Sequence, residues 1–79
     1  MELAEKLKVM RFKEGMTQME LCESTGLSLS SYKKYELGLR TEVSFLAMQK
    51  IASHPNFKKY ALWLLIDETA PDAGQISPE

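Results

Sequence analysis

Residues Gln18 to Leu37 read QMELCESTGLSLSSYKKYEL, and this stretch decides the fold. It is opened by Thr17-Gln-Met-Glu20, a capping box in which the threonine oxygen can accept from a free backbone N–H while Glu20 reaches back. Gly26 can adopt the positive φ of a residue just past a helix, which stops this first helix near Thr25. A helix of barely two turns cannot persist alone and needs tertiary packing. Ser28 then caps a second helix that ends at Gly38. Close approach of the two helices requires a small residue, and Cys22 supplies one. Leu21, Leu27, Tyr32 and Tyr35 face inward, while Ser30, Ser31, Lys33 and Lys34 decorate the other sides.

Working outward, the pattern stays helical. Leu3, Leu7 and Met10 share one stripe of a helix over Glu2–Glu14, which Gly15 can terminate. A loop runs from Leu39 to Val43, and a fourth helix from Ser44 to Ser53 buries Leu46, Ala47 and Ile51. His54-Pro55 breaks it, because the residue before a proline avoids the helical region. Asn56 then caps a fifth helix that continues to Asp67. No segment alternates as a strand does, and two valines and three isoleucines are few for a sheet. The expectation is an all-α, compact five-helix domain over residues 1–67. Residues 68–79 follow as an extended or flexible acidic tail containing Pro71, Gly74 and Pro78.

Composition sets the outer bounds. Seventy-nine residues, 44% hydrophobic and 27% charged, suit one soluble domain with a modest core. With Cys22 the single cysteine, no internal disulfide forms, and a reducing cytoplasm is the expected location. The longest apolar run, Ala61 to Ile66, is far too short to span a bilayer. The net charge of −1 hides a division. Residues 1–65 hold 10 basic and 7 acidic residues, whereas residues 66–79 hold Asp67, Glu68, Asp72 and Glu79 and no Lys or Arg. A mildly basic body with an acidic tail is compatible with nucleic-acid binding without requiring it.

Two short helices crossing over a glycine turn, with the second presenting serines and lysines outward, meet the physical demands of a helix-turn-helix over about residues 17–37. The sequence resembles the phage lambda-type repressor and Cro family, also called the XRE family. The residues that carry the resemblance are Gly15-Met-Thr-Gln18, Leu21-Cys22, Gly26-Leu27-Ser28 and Tyr35-Glu36-x-Gly38-x-Arg40. Ile51-Ala52 and Trp63-Leu64-Leu65 resemble the family's fourth and fifth helices. The match extends over about residues 3–66, and its strength lies in the joint spacing, since no single piece is specific.

The resemblance implies a lambda-repressor-like fold and a sequence-specific transcriptional regulator of phage or prophage repressor or Cro type. Its recognition helix, residues 28–37, would enter the major groove of an operator. Leu29, Ser30 and Lys34 fall at positions that reach base edges. Gln18 falls where the family glutamine bonds a phosphate and braces a neighbour. Thr17, Ser28 and Ser31 lie at or beside phosphate-touching positions. Arg11 and Glu36 match a pair that forms an ion pair, with the arginine also leaning on the DNA backbone, and Arg40 lies near that backbone. Lys33, Lys34 and Arg40 concentrate positive charge around the recognition helix, where phosphates would be met. Lys34 can donate to guanine O6 or N7 and Ser30 to almost any base. Leu29 can only pack on a thymine methyl, which shifts weight to readout through DNA shape.

Several of these residue types also have plainer roles. Lys33 and Lys34 outside such a motif would be a solvated face. Tyr32, Tyr35 and Cys22 read as packing residues, His54 as inert, and the five methionines as filler or surface. No paired carboxylates, nucleophile–base pair, metal-ligand cluster or phosphate loop is present, so neither an enzyme nor a metal site is expected. No cofactor, small-molecule ligand or membrane partner is expected either. The fifth helix carries more apolar surface than one short helix hides, so either the excess packs under the tail or this helix and residues 67–79 form a homodimer interface, for which Phe57, Tyr60, Trp63 and Leu64 are candidates. A dimer would read a palindromic operator in double-stranded DNA, in the nucleoid of a bacterial host. The rival reading is an antitoxin-like protein-interaction module of the same fold.

Overall fold

A computed structural model describes residues 1–40 and 42–79; within the expected loop from Leu39 to Val43, position 41 lies outside the described residues. Among the described residues the helices are α1 (Leu3–Lys13), α2 (Gln18–Thr25), α3 (Leu29–Glu36), α4 (Phe45–Ala52) and α5 (Ala61–Ile66). Single 3-10 turns occupy Lys58–Tyr60 and Pro71–Ala73. The one β feature among them is an antiparallel bridge between Ala70 and Gln75.

The caps form where the residue types demand them. Thr17 Oγ1 accepts from the Glu20 amide at 3.0 Å, and Glu20 Oε1 accepts from the Thr17 amide at 2.9 Å. Ser28 Oγ accepts from the Ser31 amide and Ser44 Oγ from the Ala47 amide, each at 3.1 Å. Gly26 sits at φ 80°, and its N–H closes α2 on the Cys22 carbonyl at 2.9 Å. Gly38, at φ 72°, ends α3 with the paired bonds of a Schellman motif: Gly38 N–H to Tyr35 O, and Leu39 N–H to Lys34 O.

Every α-helix contributes to one core. Leu7 and Met10 of α1 meet Leu21 and Cys22 of α2, and Tyr32 and Tyr35 of α3. The two tyrosine rings stand edge to face, 6.5 Å apart. Ala47, Ile51, Phe57, Tyr60, Trp63 and Leu64 fill the other half. Full burial of side chains this size stabilises by about 1.5–3 kcal/mol each relative to exposure. Helix α3 packs chiefly on α1 and α2, so the core determines which of its faces remains outside.

Four expectations require correction. Leu46 is exposed, because Ala47 and Ile51, four apart, set the inward stripe of α4 and place Leu46 beside it. Asn56 does not cap a fifth helix. The amides of Phe57 and Lys58 both donate to the His54 carbonyl at 2.9 Å, giving a tight turn, and α5 begins only at Ala61. The cause is visible in the spacing: Phe57 and Tyr60, three apart, are both sealed in the core, which suits a three-residue turn. In place of an extended tail, residues 70–78 fold back on the body. Gln75 Oε1 accepts from the Leu62 amide, Gln75 Nε2 donates to the Lys58 carbonyl, and the Ile76 amide donates to the Lys59 carbonyl. Pro78 is buried at the end of this strap. Finally, Phe57, Tyr60, Trp63 and Leu64 are core residues and leave no side-chain surface for a second copy. The apolar side chains exposed near them are Phe45, Leu65 and Ile66.

Lys6 is the polar exception inside. It is only 4% exposed, and its Nζ donates to the Trp63 and Leu64 carbonyls at 3.1 and 3.3 Å while pairing with Asp67 at 2.8 Å. A cation there satisfies the Leu64 carbonyl, adds a second donor to the Trp63 carbonyl that the Asp67 amide already meets, and suits the negative end of α5. It also stands 5.5 Å from the Trp63 ring centroid. Glu14 ties the end of α1 to the same region, accepting from Tyr60 Oη at 2.6 Å and pairing with Lys59 at 3.1 Å.

Candidate nucleic-acid interface

Tyr32, Tyr35 and Glu36 face inward on α3, so Ser30, Lys33 and Lys34 project from it, all three exposed. Leu29 is half-buried and packs against the core, which removes much of its methyl surface from any base. Ser31 is half-buried beside it. Ser28 Oγ is engaged as the cap of α3 and lies 3.3 Å from Ser30 Oγ. Thr17 Oγ1 accepts its cap bond in the same way, and Thr17 is exposed. Arg40 is exposed after the end of α3.

The register of α3 is locked from below. Arg11 of α1 holds Glu36 in a two-pronged ion pair, Nε to Oε2 at 2.8 Å and Nη2 to Oε1 at 3.0 Å. Their side chains are 10% and 3% exposed. Arg11 Nη1 donates to the Met16 carbonyl at 3.0 Å, and Gln18 Nε2 donates to Glu36 Oε1 at 3.1 Å. One carboxylate thus joins α1, the start of α2 and the end of α3. Burial pushes the Glu36 pKa up, but its bonds from Arg11 and Gln18 outweigh that and hold it below the ordinary carboxylate value. The bond to Glu36 raises Arg11. Tyr32 is fully buried, and its Oη makes no hydrogen bond of proper geometry, so the nearby pair acts on it through its field alone. Burial first, then Glu36, drives its phenol far above the normal value.

These bonds divide the expected phosphate contacts. Arg11 spends three donors inside the protein, so its part is mainly to hold Glu36. Gln18 braces Glu36 as anticipated and is still half-exposed. Beside it a surface depression of about 360 Å³ is lined by Lys8, Arg11, Gln18, Lys33, Glu36 and Leu37. Lys8 had no signal in the sequence, since one lysine on a solvated helix face looks like any other. Burial pushes the Cys22 thiol up, as suits a packing residue. Among the described residues no three His, Cys, Asp or Glu side chains gather as a metal site, and no helix is long and apolar enough to cross a membrane.

A capped pair of helices across a glycine turn, buttressed by α1 and presenting serine and lysine, defines a helix-turn-helix protein. The family profile described as Helix-turn-helix matches residues 7–60, and the chain belongs to that family. It is also similar to Repressor protein C of Escherichia phage P2, 34% identical over 76 residues that span 96% of this chain and 76% of that protein.

Proposed function

We propose that this protein is a DNA-binding transcriptional repressor of the phage type, which occupies an operator by placing α3 in the major groove. The observation that carries this reading is the division of α3 between faces. Tyr32, Tyr35 and Glu36 anchor it, leaving Ser30, Lys33 and Lys34 exposed, with Lys33 lining the same surface depression as Gln18. Lys34 and Ser30 read base edges, while Lys33, Gln18 and Arg40 meet phosphates. Leu29, packed on the core, contributes little to readout.

A single helix-turn-helix touches few bases, so we assign the protein a homodimeric state on a palindromic operator, with half-sites about 34 Å apart. The second copy would cover Phe45, which is 80% exposed, and Leu65, which lines the same surface groove. Analytical ultracentrifugation should show a dimer for the native chain and a monomer for Phe45→Glu.

The test of the reading is selection of duplexes from a random pool, followed by fluorescence anisotropy. Lys34→Ala should lose about 1–3 kcal/mol on the selected duplex and relax preference at one position. Lys33→Ala should weaken all duplexes alike. A pool that yields no enriched sequence would sink the proposal.

A further inference from the structure

The depression beside Gln18 has a composition unlike the rest of the surface. Lys8, Arg11 and Lys33 bring three cations to it from α1 and α3, and Gln18 adds an amide from the first turn of α2. Its one carboxylate, Glu36, is already saturated by Arg11 and Gln18 and almost wholly buried. Lys8 and Lys33 are exposed and have no ion-pair partner among the described residues. With Arg11 balanced by Glu36, the two lysines leave the hollow with uncompensated positive charge, which suits a compact anion.

We infer that this hollow seats one phosphodiester of the DNA backbone and that Lys8 of α1 is a direct phosphate contact. This rests on the DNA-binding reading and extends it to a helix outside the two-helix motif. Lys8 follows Ala4 by one turn, and Ala4 faces Gly38 at the end of α3, so Lys8 projects along the seam between α1 and α3. A strand running past the first turn of α2 would meet Gln18, Lys33 and Lys8, which line the one hollow. The contact carries no base information. It adds affinity and fixes how the body tilts over the groove.

Anisotropy titrations of the full chain over a salt series test this, using the selected duplex and a scrambled duplex of equal length. Lys8→Ala should weaken binding by the same factor on both. It should lower the slope of log affinity against log salt by about 0.9, the loss of one phosphate contact. Between 50 and 200 mM salt the advantage of the native chain should therefore shrink about 3.5-fold. Lys8→Arg should restore the slope. Lys13→Ala, on α1 but outside the hollow, should behave as the native chain. Lys8→Ala with native affinity and slope overturns the inference, as does a Lys13→Ala loss equal to that of Lys8→Ala, which would mark a diffuse field. If the native chain binds neither duplex, the DNA-binding reading itself fails, and that outcome is distinct from the other two.

Discussion

Removing either half of the Arg11–Glu36 pair should be among the most damaging single changes available to this protein. The pair is nearly sealed, with side chains 10% and 3% exposed, so whichever partner is left behind cannot regain water without disturbing the core. Stranding such a charge costs about 3–5 kcal/mol. A domain of this length has a total stability of about 4–12 kcal/mol, so the loss is a large share of it. Arg11→Met leaves the Glu36 carboxylate with only the Gln18 amide, and Glu36→Leu leaves Arg11 with only the Met16 carbonyl. Each should lower the melting midpoint by at least about 12 °C. The double variant should behave differently, because neither charge is then stranded. Its loss should fall short of the sum of the singles by about 2–3 kcal/mol. Urea unfolding followed by the fluorescence of Trp63 and by circular dichroism measures all four proteins, and agreement of the two signals supports two-state unfolding. Losses that add to within about 0.5 kcal/mol would show that the two side chains do not depend on each other.

Three further outcomes follow from the same structure. Lys6→Met keeps the apolar stem but leaves the Leu64 carbonyl unpaired and the Trp63 carbonyl with only the Asp67 amide, for a loss of about 1–3 kcal/mol in a urea melt. Asp67→Asn should cost far less, since that carboxylate is largely in water. Gly26→Ala meets no atom within 4 Å, so its cost is backbone strain alone, about 1–2 kcal/mol by thermal melt. Acid should destabilise the fold through Glu36, held low by Arg11 and Gln18 against its burial, and Glu14, held low chiefly by Tyr60. Both folded values lie below the ordinary 4.5, so their contribution is complete above that pH and is lost as pH falls beneath it. A melting midpoint that stays level from neutral pH down to pH 3 would contradict this.

The two helices at the heart of the fold were legible because their signals are local. A capping box at Thr17 and Glu20, a cap at Ser28 and the glycines at 26 and 38 each act within a turn of their own position. The Arg11–Glu36 pair was legible only through resemblance, since nothing in the spacing of residues 25 apart predicts their contact. What failed depended on distant partners. Lys6 looks solvated until the C-terminal end of α5 arrives above it. Counting apolar residues from Phe57 to Ile66 cannot say which four the core absorbs and which two it leaves outside. The strap was legible only as the possibility that excess apolar surface packs under the tail, since Gln75 works by side-chain bonds to two backbone groups far up the chain, a task that no composition announces. Leu29, placed among the base-reaching positions by resemblance, packs against the core, a contact its position in the sequence does not announce.

Six of the eight positions of helix α3 divide cleanly, Tyr32, Tyr35 and Glu36 inside and Ser30, Lys33 and Lys34 outside. The inner set answers to the scaffold, and of the outer set only Ser30 comes near it, 3.3 Å from the capping hydroxyl of Ser28. Exchanging Ser30 or Lys34 for other polar residues should therefore leave folding intact while changing which operator is recognised. Related proteins built this way can drift apart in target while keeping one body, and two such regulators in one host could stay independent through two or three substitutions.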